Sequence, residues 1–564
     1  MSNHTIDISV PLTVECARRG LKLELHTGGY DQYRQELLEA GSAVDRFSPD
    51  AILISLHLET AFSDLSAATC AASQQLPNAA QWIAQFQALI QSYRTRSSLP
   101  IFVQNFIPPA HEMDGLLCAS GAQSLFDWVM DLNHSLRETI AKIQSAFLVD
   151  AAQLACRTGL AGWRDPRLWY LAKAGIHPKQ FPALAKLIAR GFAALGRPAA
   201  KCVVLDLDNT VWGGILGDAG FEGIHCADGD YPGNTYASFQ RALIALRSRG
   251  VLLAVASKND LPAVEQAFRE RHDMVLRPEH ISEWQVHWEP KPESIKRIAE
   301  RLNIGLDSIV FLDDNPAEVA LVRMSLPQVR AYQMPVKPEQ FVDFLAALED
   351  FDQLSLSAED LRRSEFYEVR KKQEELAQTA TNLASFYRSL QTVVVPEEAG
   401  ASNFERIVQL FQKTNQFNLT TRRYQKPELV DALARKSELW AFRARDVHLD
   451  QGIIAVALLH FKENFCEMDS FLMSCRIIGR TVETAILHFL EQRALDRGAS
   501  HLLADYVQTP KNGPCRDFLA QHGYQCMYRD DQRSRWQKQL AASVTACPPW
   551  ITFEREISLA CSRN

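Results

Sequence analysis

Two acidic residues one position apart, Asp206 and Asp208, closely follow the apolar run Cys202–Leu205. A carboxylate at the end of a buried strand can attack phosphorus, and the resulting aspartyl phosphate splits one difficult hydrolysis into two easier steps. The second carboxylate is offset along the turn, so it can protonate the leaving oxygen and later accept a proton from the attacking water. With the hydroxyl of Thr210 as a phosphate-binding group, the segment predicts phosphoryl transfer.

Further groups with suitable chemistry come after the later apolar runs. The additional phosphate-binding candidates are Ser257, Lys258 and Lys291, and a second acidic pair is Asp313 and Asp314. Clustered carboxylates repel one another by on the order of 1 to 4 kcal/mol per pair at intermediate dielectric, so the site needs cations. We expect Lys291 and a Mg²⁺ ion to supply that charge. The expected oxygen ligands of the metal are Asp206, the carbonyl of Asp208, and either Asp313 or Asp314.

Each of these groups also has a purely structural interpretation. The run Asn315–Glu318 is a good helix start, in which Asp313 and Asp314 would only favour the helix dipole. Ser257 and its neighbours would then form a polar loop, and Lys291 would be a surface lysine. The order of acid pair, hydroxyl, lysine and acid pair along the chain favours one common site, because convergent titratable groups mark functional sites.

Three apolar runs must position these groups: Cys202–Leu205, Val251–Ala256 and Ile309–Leu312. Each run ends in polar residues and is followed by a helix-start signal, which is typical of a doubly wound parallel sheet. Ligands of such sheets bind at the carboxyl ends of the strands. The predicted site therefore lies at that edge.

The rest of the chain alternates strands and helices in the same manner. Residues 51–56 and 100–104 are predicted as buried parallel strands, 125–147 as a helix, and the alternating segment Leu21–Leu25 as a strand. We predict a multidomain α/β protein, with about 100 to 200 residues per domain as a guide. The expected parts are an α/β domain over 1–198, a doubly wound domain over 199–350, a helical linker over 351–390 and an α+β domain over 391–564.

Composition excludes several classes of protein. A formal charge of -7 and 23% charged residues provide no basic footprint for nucleic acid. No apolar stretch is long enough for a membrane span and the first residues lack the pattern of a secretory signal, so we expect the cytoplasm. The 12 cysteines form no C-x-x-C pair, which argues against a zinc site and a disulfide framework.

The motif set resembles the haloacid dehalogenase (HAD) superfamily of phosphohydrolases, and a closer resemblance is to the FkbH-like family. The segments that carry the closer resemblance are 206–220, 256–260, 288–291, 311–316, 413–422 and 471–480. Proteins of this family are associated with polyketide and mixed peptide assembly lines. The resemblance implies an enzyme that takes a phosphoglyceryl group from 1,3-bisphosphoglycerate, removes the phosphate and passes glyceryl to the thiol of an acyl carrier protein. The alternatives are a plain Mg²⁺-dependent phosphatase of a small metabolite and a non-catalytic carrier-binding scaffold.

The carboxyl-terminal unit resembles the GNAT acetyltransferase fold, in which backbone amides at a helix start cradle cofactor phosphates. The resemblance implies a pantetheine site formed by Arg476, Gly479, Arg480, Thr481 and Asn512. One departure is Leu519, where members of the fold often have a tyrosine that acts as an acid. Amine acetylation is therefore in doubt, whereas a pantetheine arm fits the same groove.

Thioester chemistry requires a cysteine. Cys475 is the candidate acyl acceptor, because the neighbouring Arg476 and the helix start would favour its thiolate. The alternative is that Cys475 is a buried strand residue. Cys226 is a weaker candidate for the acceptor.

The amino-terminal domain resembles SGNH-hydrolase-like domains fused to FkbH-like proteins, through residues 28–36 and 165–170. A serine esterase needs an activated serine and a histidine held by an acid. Only Ser2 and Asn3 remain near the usual serine position, Asp165 lacks a histidine two or three residues on, and His177 is too far along. We therefore predict docking rather than catalysis for this domain.

Overall fold

The protein is described by a computed structural model in which contacts divide the chain into two units, Met1–Arg197 and Pro198–Asn564. The described residues are 1–63, 65, 76–112, 115–116, 124–229, 231–356, 358–363, 365–367, 383–433, 437–447, 449–474, 477–510, 512–540 and 543–554. No helix in these ranges combines the length and the apolar content that a membrane span requires.

The first unit is built on a parallel sheet. Its strands are β1 (Ile52–Ser55), β2 (Ile101–Gln104) and β3 (Ala146–Val149), in that spatial order. Its helices are α1 (Ser9–Arg18), α2 (Tyr33–Leu38), α3 (Ala43–Phe47), α4 (Leu58–Ala61), α5 (Ala79–Arg94), α6 (Leu125–Ala141), α7 (Ala151–Thr158), α8 (Pro166–Ala172) and α9 (Phe181–Gly196). The helices supply most of the apolar side chains that cover the sheet, as expected for parallel strands.

Two predictions for this unit are wrong. Leu21–Leu25 is not a strand, because the alternation of apolar and polar residues has no neighbouring strand with which to pair. The helix predicted to reach Phe147 ends at Ala141, and Phe147 lies in β3. Ser145 adopts a left-handed conformation with φ 54°, which turns the chain from α6 into β3.

The first part of the second unit contains a five-stranded parallel sheet in the order β6-β5-β4-β7-β8. Its strands are β4 (Cys202–Leu205), β5 (Leu252–Ser257), β6 (Ile281–Val286), β7 (Ile309–Asp313) and β8 (Arg330–Gln333). Its helices are α10 (Leu216–Gly223), α11 (Gly233–Ser248), α12 (Leu261–Glu270), α13 (Lys291–Arg301), α14 (Pro316–Ser325) and α15 (Phe341–Ala347). Every residue of the central strands β4, β5 and β7 is buried, which explains their continuous apolar sequence.

Two helices are described in the region of the predicted linker, α16 (Ala358–Leu361) and α17 (Leu383–Leu390). The prediction of one continuous helix falls mainly on residues 357, 364 and 368–382, which lie outside the described residues. The linker therefore stays a prediction.

The last part of the second unit is a nine-stranded, mostly antiparallel sheet in the order β15-β16-β14-β13-β12-β11-β9-β17, with β10 paired to β13. Its strands are β9 (Thr392–Glu398), β10 (Phe417–Asn418), β11 (Ser437–Arg445), β12 (Asp450–Phe461), β13 (Phe465–Met473), β14 (His501–Val507), β15 (Gln525–Arg529), β16 (Arg533–Gln539) and β17 (Ile551–Phe553). Its helices are α18 (Phe404–Lys413), α19 (Lys426–Leu433), α20 (Val482–Asp496) and α21 (Phe518–Gln521). Together these elements form a GNAT-like α+β fold in which β13 and β14 run parallel and α20 follows β13.

Candidate functional site

Three carboxylates meet at the carboxyl edge of the five-stranded sheet. Asp206 directly follows β4, Asp313 ends β7, and Asp314 comes next. Because β4 and β7 are parallel neighbours with Leu205 beside Leu312, their ends bring these side chains together. One ligand oxygen from each of the three lies within 4.8 Å of the others. The structure thus unites both acidic segments that the sequence predicted.

Lys291, the first residue of α13, places its ammonium group between these acids. Its Nζ lies 3.0 Å from Oδ1 of Asp206 and also contacts Oδ2 of Asp313, and the lysine is buried. Burial alone would lower the pKa of Lys291, but the attraction of Asp206 and Asp313 outweighs burial and raises the pKa. The lysine is therefore a permanent cation within the cluster, rather than a surface residue.

The acid cluster remains electrostatically strained despite this lysine. Burial raises the pKa of Asp313 to about 6, and the charge of Asp206 adds to the rise while Lys291 opposes it. Burial also raises the pKa of Asp314, with a further contribution from Asp206. The backbone N–H of Asn315 donates to Oδ1 of Asp313 at 2.8 Å, which fixes the orientation of this carboxyl group.

Three hydrogen-bond donors fix the carboxylate of Asp208, which is not part of the group formed by Asp206, Asp313 and Asp314. Its Oδ1 accepts from the indole N–H of Trp212 at 2.9 Å and the backbone N–H of Leu216 at 3.2 Å, and its Oδ2 accepts from Nδ2 of Asn259 at 3.0 Å. Burial raises the pKa of Asp208, whereas these hydrogen bonds lower it. A positioned carboxyl group with a raised pKa suits an acid that gives and takes a proton.

Trp212 and Asn259 were missed by the sequence analysis. Asn259 lies two residues beyond the end of β5, in the same polar run as Ser257, and this position was the signal that could have identified it. Trp212 has no comparable signal, because an apolar aromatic residue after a strand is ordinarily read as core.

The remaining phosphate-binding candidates have different environments. Ser257 ends β5 at the active edge, and Thr210 is fully buried, with no hydrogen-bond partner for its Oγ1 among the described residues. Lys258 is not brought into the cluster. Its Nζ lies 2.6 Å from Oε1 of Glu318 on α14. The roles of these residues in phosphate binding stay predictions.

The residues of the edge fit a hard divalent cation. Three carboxylates with a single buried lysine leave an excess of negative charge, and carboxylate oxygens are the ligands that such cations prefer. The carboxylate of Asp208 is not part of this group of three, and the role of its carbonyl as a ligand stays a prediction.

Other residues of the chain contact the predicted pantetheine loop. Arg480 approaches Asp446, with 3.4 Å between Nη1 and Oδ2. The hydroxyl of Tyr387 donates to the carbonyl of Gly479 at 3.2 Å, and the indole N–H of Trp550 donates to Oγ1 of Thr481 at 2.8 Å. The rings of Tyr387 and Trp550 stack, with centroids 5.4 Å apart. Cys475 and Arg476 lie outside the described residues.

The groove between β13 and β14 is filled by another strand. Direct pairing of β13 with β14 ends at Met468, and beyond that point Leu419 donates its N–H to Phe471 and accepts the N–H of Val507. Asn512 is buried behind β10, where its Nδ2 donates to the carbonyls of Asn418 at 3.0 Å and Val507 at 2.9 Å. Asn512 therefore holds β10 in place, and a pantetheine site there stays a prediction.

The weaker acceptor candidate, Cys226, is fully buried, and burial raises the pKa of its thiol to about 11. A thiol in this environment is not a ready nucleophile. In the first unit, the hydroxyl of Ser2 donates to the carbonyl of His4 at 2.9 Å. Nε2 of His177 lies 3.9 Å from Oδ2 of Asp165. These contacts join no serine to the Asp165–His177 pair.

The doubly wound sheet and the acid cluster at its carboxyl edge define a phosphatase domain of HAD type. The N-terminal part of the protein BF1531 from Bacteroides fragilis, which contains a phosphatase domain complexed with Mg, is similar in structure with a TM-score of 0.55 and 25% identity. The match covers 63% of this chain and 93% of that one. Residues 7–190 match the family model of the FkbH N-terminal domain. This match confirms the resemblance to the FkbH-like family that the motifs predicted.

Two acetyltransferase structures match a smaller part of the chain. The ribosomal-protein-S18-alanine N-acetyltransferase from Escherichia coli is 9% identical with a TM-score of 0.21, covering 26% of this chain and 94% of its own. The PaiA N-acetyltransferase from Thermoplasma acidophilum, in complex with coenzyme A, is 11% identical with a TM-score of 0.22, covering 26% and 98%. No curated protein is significantly similar to the chain.

Proposed function

We propose that the protein is a Mg²⁺-dependent phosphatase coupled to acyl transfer. In this proposal it receives a phosphoglyceryl group from 1,3-bisphosphoglycerate, removes the phosphate and loads glyceryl onto an acyl carrier protein for polyketide or mixed peptide synthesis. The observation that carries the phosphatase step is the cluster of Asp206, Asp313 and Asp314 around the buried ammonium group of Lys291.

The residues of the chain divide the phosphoryl chemistry between them. Asp206 attacks phosphorus through a carboxylate oxygen and becomes the aspartyl phosphate. Asp208, held by Trp212 and Asn259, protonates the leaving oxygen and later takes a proton from the water that attacks the intermediate. Lys291 binds the phosphate while balancing the acids. A Mg²⁺ ion held by Asp206, Asp313 or Asp314 and the carbonyl of Asp208 would supply Lewis-acid stabilisation of the phosphoryl oxygens.

The acyl-transfer step is supported by the domains attached to the phosphatase. Residues 7–190 match the family model of the FkbH N-terminal domain, and a GNAT-like unit follows the phosphatase sheet. In the proposed order, the thiolate of Cys475 attacks the acyl carbon of 1,3-bisphosphoglycerate and the C1 phosphate leaves. Asp206 then removes the C3 phosphate from the thioester, and the carrier's pantetheine thiol takes the glyceryl group and restores the thiol of Cys475.

A plain phosphatase of a small metabolite is the second candidate. The specific observation in its favour is that two residues of the predicted pantetheine site contact the protein itself, Arg480 with Asp446 and Asn512 with Asn418. A carrier-binding scaffold with a degenerate site is a poorer fit, because a cluster of three acids with a buried lysine supports phosphoryl chemistry.

Intact-mass spectrometry of a carrier protein distinguishes the three candidates. The carrier is incubated with the full-length protein, Mg²⁺ and enzymatically generated 1,3-bisphosphoglycerate, and released phosphate is measured in parallel. We expect a glyceryl adduct together with phosphate. Phosphate without an adduct would favour the plain phosphatase, and the absence of both products would leave the scaffold.

Variants test the order of the steps. Asp206→Asn should stop release of the C3 phosphate while the phosphoglyceryl thioester still forms with release of the C1 phosphate. Loss of that thioester would show that the two sites are interdependent. Asp343→Asn, at an exposed position of α15, is the matched control and should behave as the unmodified protein. Cys475→Ala should abolish the adduct while activity on p-nitrophenyl phosphate remains, and an unchanged adduct would exclude Cys475.

A further inference from the structure

A serine, a histidine and an aspartate from three neighbouring strands meet in the GNAT-like unit. Oγ of Ser437 lies 2.7 Å from Nδ1 of His460, and Nε2 of the same ring lies 3.7 Å from Oδ1 of Asp469. We propose that Ser437, His460 and Asp469 form a second catalytic site, which attacks the carbonyl carbon of carboxylic esters and thioesters. This inference does not depend on the proposed phosphatase and loading function.

The register of the sheet brings the three residues together. Ser437 at the start of β11 is directly opposite His460 near the end of β12, so their side chains share one face of the sheet. On the other side of β12, the pairing shifts between Leu458, opposite Ser470, and Leu459, opposite Met468. Asp469 is the extra residue of this bulge, and bulges re-aim side chains beside active sites.

The contacts of Asp469 determine the hydrogen-bonding role of the ring. Arg422 forms an ion pair with Asp469, and Tyr424 and Ser470 each donate a hydroxyl to its Oδ2 at 2.9 Å. Burial would raise the pKa of Asp469, but its contacts with His460, Arg422, Ser470 and Tyr424 lower it, so the group is ionised at neutral pH. An ionised carboxylate beside Nε2 favours the tautomer with a proton on that nitrogen.

With its proton on Nε2, His460 presents a lone pair on Nδ1. The hydroxyl of Ser437 is then the donor in the 2.7 Å hydrogen bond, which is the arrangement of a nucleophile with its general base. The site is not sealed in the core, since the side chain of His460 is 26% exposed and that of Arg422 is 49% exposed. A substrate can therefore approach from the solvent.

The proposed step is balanced within the three residues and the substrate. Oγ of Ser437 forms a bond with the carbonyl carbon while its proton moves to Nδ1 of His460. The bond from that carbon to the leaving sulfur or oxygen breaks, and the leaving group takes the proton from His460. Water then cleaves the acyl-serine by the same route, which releases a carboxylic acid and restores the hydroxyl, while Asp469 stabilises the imidazolium in both steps.

A fluorophosphonate probe tests this site directly, because it labels serines that are activated by a neighbouring base. The full-length protein is treated with the probe, and the modified residue is located by peptide mass spectrometry. We expect the label on Ser437, with release of fluoride. His460→Gln should slow the labelling by at least about 100-fold, the usual loss when a general base is removed.

The variants separate a catalytic role from a structural one. Ser437→Ala should remove the label, whereas Ser248→Ala, at an exposed serine of α11, should leave the labelling rate unchanged. Asp469→Asn is the less direct test, because Asp469 also binds Arg422 and Tyr424. Thermal melting verifies that the His460→Gln variant is folded. No label on Ser437, or an unchanged rate in a folded His460→Gln variant, would overturn the proposal.

Discussion

The charge balance at the end of β7 predicts that Asp313→Asn stabilises the protein when no metal is present. Asp313 is completely buried, and its pKa is raised from 3.8 to about 6. A carboxyl group whose pKa is raised by folding binds its proton more tightly in the folded state than in the unfolded state. Ionisation of this group therefore destabilises the fold. This cost is absent below the unfolded pKa, grows between about pH 4 and pH 6, and is complete above pH 6.

The size of the effect follows from the shift. The change in the pKa of Asp313 from 3.8 to about 6 corresponds to about 3 kcal/mol at about 1.4 kcal/mol per unit, and this net shift already includes the attraction of Lys291. Asparagine keeps an oxygen that can accept the N–H of Asn315. At pH 8 in EDTA, we expect Asp313→Asn to melt higher than the unmodified protein by on the order of 5 °C.

Mg²⁺ should reverse the order of the two melting temperatures, so that the unmodified protein melts higher than Asp313→Asn. The unmodified protein gains about 2.7 kcal/mol at a Mg²⁺ concentration 100 times its dissociation constant, whereas Asp313→Asn lacks one ligand and should gain much less. The assay is thermal melting at pH 8 and pH 4.5, with EDTA or Mg²⁺, and Asp343→Asn is the control at an exposed site. A lower melting temperature of Asp313→Asn in EDTA at pH 8, or an equal response of both proteins to Mg²⁺, would refute the reasoning.

Three further predictions follow from individual contacts. Asp208→Asn should lower kcat by a factor of about 10² to 10⁴. The leaving group of p-nitrophenyl phosphate needs no acid, so in stopped-flow measurements a burst of nitrophenol should precede the slow hydrolysis of the aspartyl phosphate. Lys258→Gln should change kcat/KM of the phosphatase by no more than about fivefold, because its ammonium group pairs with Glu318; a larger loss in steady-state assays would return Lys258 to the phosphate site. Lys538→Met should lower the free energy of unfolding in urea by about 3 to 5 kcal/mol, since the fully buried Glu491 would lose its ion pair; Lys296→Met, at an exposed pair, should leave it nearly unchanged.

Much of the phosphatase site was predictable because its residues follow strand ends. Asp206, Ser257 and Asp313 each stand at the end of an apolar run, and parallel strands bring such ends to one edge of a sheet. The contact between Lys258 and Glu318 was not predictable, because neighbouring positions after a strand point in different directions and the tertiary partner decides which one enters the site. The expected strand at Leu21–Leu25 failed for a related reason, since alternation does not supply a pairing partner.

The amino-acid sequence by itself determined the HAD-type edge, the FkbH-like resemblance and the order of acids and lysine along the chain. These features depend on local apolar runs and on the residues that end them. The tertiary structure alone decided that Leu419 would join Phe471 to Val507, and that Ser437, His460 and Asp469 would meet. Strand register and a bulge created those groupings, and both arise from pairing between distant segments that no short pattern encodes.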